Sequence, residues 1–379
     1  IINFYPKASA RVLQIKMALG FPIFMDSRKK AVKIAGVAKA IPQYHRETPD
    51  ILPLLDVWLA GQEERFVRKV KKIFTNAAVD KRYSIMAPEE VFTATSFEDK
   101  NDIYSREVVK LGEQALTDAL KKTGWDAQSL DYIITVSCTG IMIPSLDAYL
   151  INKLNLRQDI TRLPVTEMGC AAGISGILYA NDFLKANSGK RAAVIAVESP
   201  TATFQLNDYS MANVVSAAIF GDGGACVLLS SKEEDQGPQI VDTGMYHFFD
   251  AEEMMGFRLT NTGLKMILDP SVPETIASNF PDIIDPFLER NGITIADVNN
   301  LVFHPGGKKI VQTVEELFGK RGKNIEDTKE VLRLYGNMSS VTVLYVLERF
   351  LNRKIPAEDY GLMLSFGPGF SAQRILLKW

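Results

Sequence analysis

Cysteine and histidine are both scarce in this chain of 379 residues, three of each. Cys138, Cys170 and Cys226 are an odd number and share no ligand spacing with His45, His247 or His304. A disulfide framework is thereby excluded and no metal site is read. The expected setting is reducing and cytoplasmic. An excess of one charge is missing as well: 43 Lys and Arg face 45 Asp and Glu, a net charge of −2. Binding nucleic acid needs a concentrated basic face, so no such partner is expected. Long apolar runs are absent too. Tyr132–Val136 and Cys226–Leu229 have the length of strands, far short of a bilayer span, so membrane insertion is not expected. No charged-then-apolar export signal opens the sequence, which agrees with the cytoplasmic expectation.

What the chain does contain is a faint internal duplication. Leu120-Lys-Lys-Thr-Gly124 followed by Trp125–Ile134 is matched by Leu288-Glu-Arg-Asn-Gly292 followed by Ile293–Val302. Each copy reads as an amphipathic helix, a glycine cap, a short connector and a buried strand. Gly169-Cys170 opens a helical stretch ending at Leu184, and Gly336-Asn337 opens one ending at Leu351. Phe220-Gly-Asp-Gly223 and Phe366-Gly-Pro-Gly369 each precede a strand-like run. Two α/β halves follow, about residues 100–231 and 239–379, joined by the polar turn Ser230–Pro238. The chain is accordingly divided at 1–235 and 236–379. Ahead of the repeat, Val32–Ala40 reads as a strand and Thr48–Thr75 as one helix. A pseudo-two-fold between the halves brings Cys170 and Asn337 together at equivalent helix starts. His304, at the end of the strand matching Tyr132–Val136, joins them.

These residue types suit thioester chemistry. Cys170 sits in Gly169-Cys-Ala-Ala-Gly173, where small residues permit a sharp turn into a packed helix. The positive end of the helix dipole favours a thiolate there. His304, in Phe303-His-Pro-Gly-Gly307, can take the thiol proton or donate to a carbonyl oxygen. Asn337, in Tyr335-Gly-Asn-Met-Ser-Ser340, suits a helix cap equally well by local sequence. Its place opposite Cys170 in the duplication favours an oxyanion donor. Together the three would load an acyl group on sulfur and stabilise the enolate left by a decarboxylating malonyl thioester.

Taken together, Met168-Gly-Cys-Ala-Ala-Gly173, Phe220-Gly-Asp-Gly223, His304-Pro-Gly-Gly307, Gly336-Asn-Met-Ser-Ser340 and Phe366-Gly-Pro-Gly-Phe370 resemble the type III polyketide synthases, the chalcone-synthase-like family. The likeness runs from about Lys33 to the C-terminus. It implies a thiolase-like αβαβα five-layer fold from two duplicated halves, a homodimer, and acyl-CoA and malonyl-CoA as substrates with no further cofactor. By position, Cys170, His304 and Asn337 match the catalytic triad and Phe220 the gatekeeper aromatic. Cys138, Thr203 and Ser339 match cavity-lining positions. Phe257 and Met266 stand where plant members often carry Gly and Phe. Ile143 is expected to reach across the dimer contact. CoA would be held near Lys69, Lys72, Gly306 and Lys309, with Lys308 beside it and Asn76 where a third cation is common. Ser365 replaces the usual first glycine of the C-terminal loop.

The bacterial-like cavity positions suggest a fatty acyl starter and alkylpyrone or alkylresorcinol products. A malonyl-primed tetrahydroxynaphthalene synthase is the alternative product class. Ketoacyl-ACP synthase III is the rival enzyme, and an inert acyl-CoA-binding protein of the same fold the rival outside enzymes.

Overall fold

Strands buried on both faces decide the architecture. The structure, a computed structural model, describes residues 31–93 and 96–379. In chain order, the first half contains β1 (Val32–Ala40), β2 (Tyr44–Glu47), α1 (Thr48–Trp58), α2 (Glu64–Thr75), β3 (Lys81–Ser84), α3 (Pro88–Val91) and α4 (Phe97–Thr123). It continues through β4 (Tyr132–Val136), α5 (Leu146–Lys153), β5 (Thr161–Val165), α6 (Ala172–Ala186), β6 (Arg191–Glu198), α7 (Met211–Ile219) and β7 (Gly223–Ser230). The second half contains β8 (Gln239–His247), β9 (Met255–Thr260), β10 (Gly263–Leu268), α8 (Val272–Glu289) and β11 (Val298–Phe303). It ends with α9 (Lys308–Gly319), α10 (Glu326–Tyr335), α11 (Thr342–Leu351), β12 (Tyr360–Gly367) and β13 (Ser371–Lys378).

Nine strands run in the order β11-β12-β13-β8-β1-β7-β6-β4-β5. Read outward from the centre, β1-β7-β6-β4 mirrors β8-β13-β12-β11. The pairing agrees step for step: β1–β7 and β8–β13 are antiparallel, as are β7–β6 and β13–β12. The outermost matched pairs, β4–β6 and β11–β12, are both parallel. Within the sheet, Val32–Ile240 and Lys33–Gln239 join the halves, an antiparallel bridge that suits a local two-fold. The strand read at Val32–Ala40 therefore belongs to the repeat, as the counterpart of β8.

Successive strand side chains point to opposite faces. Ile134, Val136, Val194 and Ala196 of the first half, with Val302, Met363 and Ile375 of the second, pack on α6 and α11 in one core. The alternate residues Ile133, Ile195 and Val197 pack outward on α4. Leu301, Phe303, Leu362 and Leu364 pack outward on α8. Strands buried on both faces read as continuous apolar runs. The layers are thus α4, strands, α6 with α11, strands, α8, the five-layer arrangement expected. Residues 31–379 form one compact unit.

Two details are local. Gly124 caps α4 with φ +68°, and its counterpart Gly292 has φ +72° just past α8, conformations in which a Cβ is strained. The single helix expected over Thr48–Thr75 is instead two, α1 and α2, broken at Leu59–Glu63. Gly61 takes φ +82° there, turning the chain so that both apolar faces reach the same core.

The central helices approach unusually closely. A Cβ at Gly173 of α6 would stand 2.2 Å from the backbone carbonyl oxygen of Ser340. The Gly173→Ala variant should lose about 1–3 kcal/mol of unfolding free energy in urea titrations, the usual range for overpacking.

Candidate active site

The three candidate residues come from three separate elements, and the duplicated topology brings them to one cavity. Cys170 lies in a tight 3-10 turn, Gly169–Ala171, that leads directly into α6. Gly169 takes φ +49°, and a Cβ there would meet the Pro368 ring at 2.6 Å. His304 follows the last residue of β11, with its backbone N–H donating to Leu364 O at 2.9 Å. Asn337 precedes the 3-10 turn Ser339–Val341 that opens α11. It is strapped to the end of α7: Asn337 N–H donates to Ile219 O at 2.8 Å, and Gly221 N–H donates to Asn337 O at 3.0 Å.

Cys170, His304 and Asn337 all line a cavity of about 620 Å³, together with Cys138, Phe220, Phe257, Met266, Gly306, Lys308, Lys309 and Ser339. Phe257 and Met266 are cross-strand partners in the β9–β10 hairpin and form one wall. Several candidates lie elsewhere. Thr203 lines a smaller chamber of about 70 Å³ that shares Phe220, Met266 and Pro200 with the main cavity, and its hydroxyl donates to Pro200 O. Ile143 stands 93% exposed, away from the cavity. Lys69 and Lys72 are exposed on α2, one turn before the wall residues Ile73 and Asn76, and do not line the cavity themselves.

Asn337 acts as the turn cap that its local sequence suggested. Its Oδ1 accepts Ser339 N–H at 2.8 Å, capping the turn, while Nδ2 donates to Gly306 O at 3.1 Å. The polar side chains of Asn337 and Ser339 both favour the anionic form of the Cys170 sulfur. Ser339 itself sits at φ +50°, an uncommon conformation for a residue with a Cβ.

His304 is 2% exposed, and neither ring nitrogen has a hydrogen-bond partner. Burial lowers its pKa to about 3, so the resting imidazole is neutral. The sequence favoured a thiolate at Cys170, but here burial dominates and pushes the thiol up to about 11. The Ser339 and Asn337 donors oppose that rise, and the Glu198 charge adds to it. Each group alone is neutral; charge appears only if the proton passes from sulfur to imidazole, where the two ions would attract.

Two buried carboxylates escaped the sequence reading. Glu198 ends β6 and gathers Ser340 Oγ at 2.6 Å, Thr139 Oγ1 at 2.9 Å and Cys138 N–H at 3.0 Å, with the Cys138 thiol at 3.6 Å. Burial raises its pKa despite these donors. An acidic residue closing the apolar run Ala192–Val197 was the signal available. Asp222 accepts from Ile85 N–H, Ser199 Oγ, Thr201 N–H and Thr201 Oγ1, anchoring the turn after Phe220. Its pKa is pushed up to about 6, chiefly by burial. Cys138 is a cavity wall whose thiol burial raises well above its ordinary value, and Cys226 is buried in β7.

Comparison with known proteins agrees with this geometry. The family model for the N-terminal domain of chalcone and stilbene synthases matches residues 31–233, and that for the C-terminal domain matches residues 241–379. The chain belongs to the type III polyketide synthases of this family. It is therefore an acyltransferase that catalyses decarboxylating condensation. The synthase is 29% identical to a 1,3,6,8-tetrahydroxynaphthalene synthase of Streptomyces peucetius subsp. caesius, over 92% of this chain and 94% of the relative. It is 28% identical to a phloroglucinol synthase of Pseudomonas fluorescens, over 82% and 88%. The crystal structure of the tetrahydroxynaphthalene synthase of Streptomyces coelicolor A3(2) superposes with a TM-score of 0.86 at 26% identity, covering 92% of this chain and 99% of that one. Among the described residues no helix is long and apolar enough to cross a membrane.

The proton relation between Cys170 and His304 is open to direct measurement. In the His304→Gln variant the midpoint of the pH profile for iodoacetamide alkylation of Cys170 should rise by at least about one unit, a tenfold slowing at fixed pH below it. An unchanged profile would show that the imidazole does not take the thiol proton.

Proposed function

We propose that Cys170 is the acyl-carrying nucleophile and that His304 and Asn337 form the pair that holds the thioester carbonyl oxygen. The observation that carries this reading is a buried imidazole with both nitrogens unpartnered, opening on the same cavity as Cys170 and Asn337. In the loading step the Cys170 sulfur bonds the acyl carbon of a CoA thioester and the C–S bond to CoA breaks. His304 takes the thiol proton and passes it to the departing CoA sulfur. A malonyl-CoA then enters; its carboxylate leaves as carbon dioxide, and the bonding pair becomes an enolate. The Asn337 amide and the His304 N–H donate to that enolate oxygen, where such donors contribute most. The enolate carbon attacks the acyl carbon on Cys170 and the C–S bond to Cys170 breaks; the sulfur leaves as thiolate and takes a proton from water, restoring the thiol for the next cycle. Only CoA thioesters are consumed, with no further cofactor.

The starter we propose is a fatty acyl-CoA, giving alkylpyrone or alkylresorcinol products. Support comes from the apolar walls, to which Met211, Val215, Met255, Met266, Leu268 and Val272 contribute. The relatives named for tetrahydroxynaphthalene and phloroglucinol synthesis favour a second reading, priming by malonyl-CoA itself. Lys308 and Lys309, at the first turn of α9 and lining the cavity, would meet the CoA phosphates, as would Lys69 and Lys72 on the helix that supplies the wall residue Ile73. The exposed Ile143, beside Ile141, would be covered by a second copy in a homodimer.

Incubation with acyl-CoAs of graded length and labelled malonyl-CoA, read by mass spectrometry, should give an acyl adduct on the Cys170 peptide and products that grow with the starter. Products from malonyl-CoA alone, unchanged by any added acyl-CoA, would replace the fatty starter with malonyl priming. Adducts on another residue would remove Cys170 from its assigned role.

A further inference from the structure

The strand end that passes behind the nucleophile carries a polar side chain whose purpose the chemistry above leaves unexplained. Ser365 lies fully buried near the end of β12, at the position where the family pattern has glycine. Its hydroxyl donates to the backbone carbonyl oxygen of Cys170 at 2.8 Å. The two residues after the next make the contact intimate. A Cβ at Gly367 would stand 2.6 Å from Ala171 Cβ and 2.7 Å from Met168 O, and Pro368 packs on Gly169. Ser365, Gly367 and Pro368 are therefore all fitted to the turn 168–171.

We infer that Ser365 is a positioning residue that holds the Cys170 peptide and so sets the reactivity of its thiol. The inference rests on Cys170 being the nucleophile, as proposed above. A carbonyl oxygen carries partial negative charge, and this one belongs to the same residue as the sulfur. Left bare in a buried site it opposes a developing thiolate; with a hydroxyl donated to it, less of that opposition remains. The same bond fixes the peptide plane of the turn. Ser365 touches no reacting atom, and acts only through Cys170.

The other groups that bear on the sulfur come from separate elements: His304 after β11, Cys138 after β4, Glu198 on β6, and the Asn337 and Ser339 donors before α11. None is altered by a change at Ser365, so a shift in the thiol's behaviour isolates this bond. The test is the pH dependence of iodoacetamide alkylation of Cys170 in the full chain, located by peptide mass, for the native protein, Ser365→Ala and Ser365→Thr.

Ser365→Ala should move the alkylation midpoint up by about half to one pH unit, an approximately three- to tenfold slowing below the midpoint. Its kcat should fall with KM unchanged, and Ser365→Thr, which keeps the hydroxyl, should restore both. A Ser365→Ala profile that superposes on the native one, even with a lowered Tm, would make the bond purely structural and overturn the inference. If the native protein is not alkylated at Cys170 at all, the nucleophile assignment fails instead.

Discussion

The molecule depends on one close approach, the crossing of α6 and α11 at the local two-fold. Gly173 faces the Ser340 carbonyl with no space for a side chain between them. That crossing is possible because α6 follows a turn of small residues, Gly169–Ala172, and carries glycine at the contact itself. Bringing the helix starts together sets Cys170 beside Asn337 and Ser339. The strands outside them then decide what else reaches the centre: β11 delivers His304, and β6 delivers Glu198. An approach of this kind is all-or-none, because packed interiors resist even small volume changes.

The site is also strongly dehydrated, and this changes the electrostatic balance expected of a thiol at a helix start. A helix terminus contributes a fraction of a charge, felt within one turn. Removing water from around the sulfur works against the anion and outweighs it, so the resting thiol is neutral. The neighbours matter for that reason: an imidazole with no partner, the Asn337 and Ser339 side chains that favour the anion, and a carboxylate held nearby by hydroxyls and a backbone N–H. None of these would count for much in water, and each counts more at the buried end of an apolar cavity.

Much of this was legible in the chain because the repeat preserved it. Gly124 and Gly292 cap equivalent helices, and the buried runs Tyr132–Val136 and Val298–Phe303 take equivalent places. From those matches alone Cys170, His304 and Asn337 were expected to meet. The failures share a cause. Glu198 and Asp222 sit at strand and helix ends where a carboxylate usually meets solvent, and only the packing of distant segments encloses them. The break at Gly61 depends on two apolar faces reaching one core, which the helical period of Thr48–Thr75 does not reveal. Thr203 lies behind Phe220 and Met266 because the turn after β6 carries it past the main cavity, a matter of a few ångströms that sequence spacing does not encode.

The central claim is that loading and decarboxylation use different parts of one constellation. It is tested most directly by carbon dioxide release from malonyl-CoA labelled at its free carboxyl. Cys170→Ala should still release carbon dioxide while forming no condensation product, whereas His304→Ala and Asn337→Ala should each release it about a hundredfold more slowly or worse. Release that is untouched in the His304 and Asn337 variants, or chain extension that survives without the Cys170 sulfur, would contradict the account.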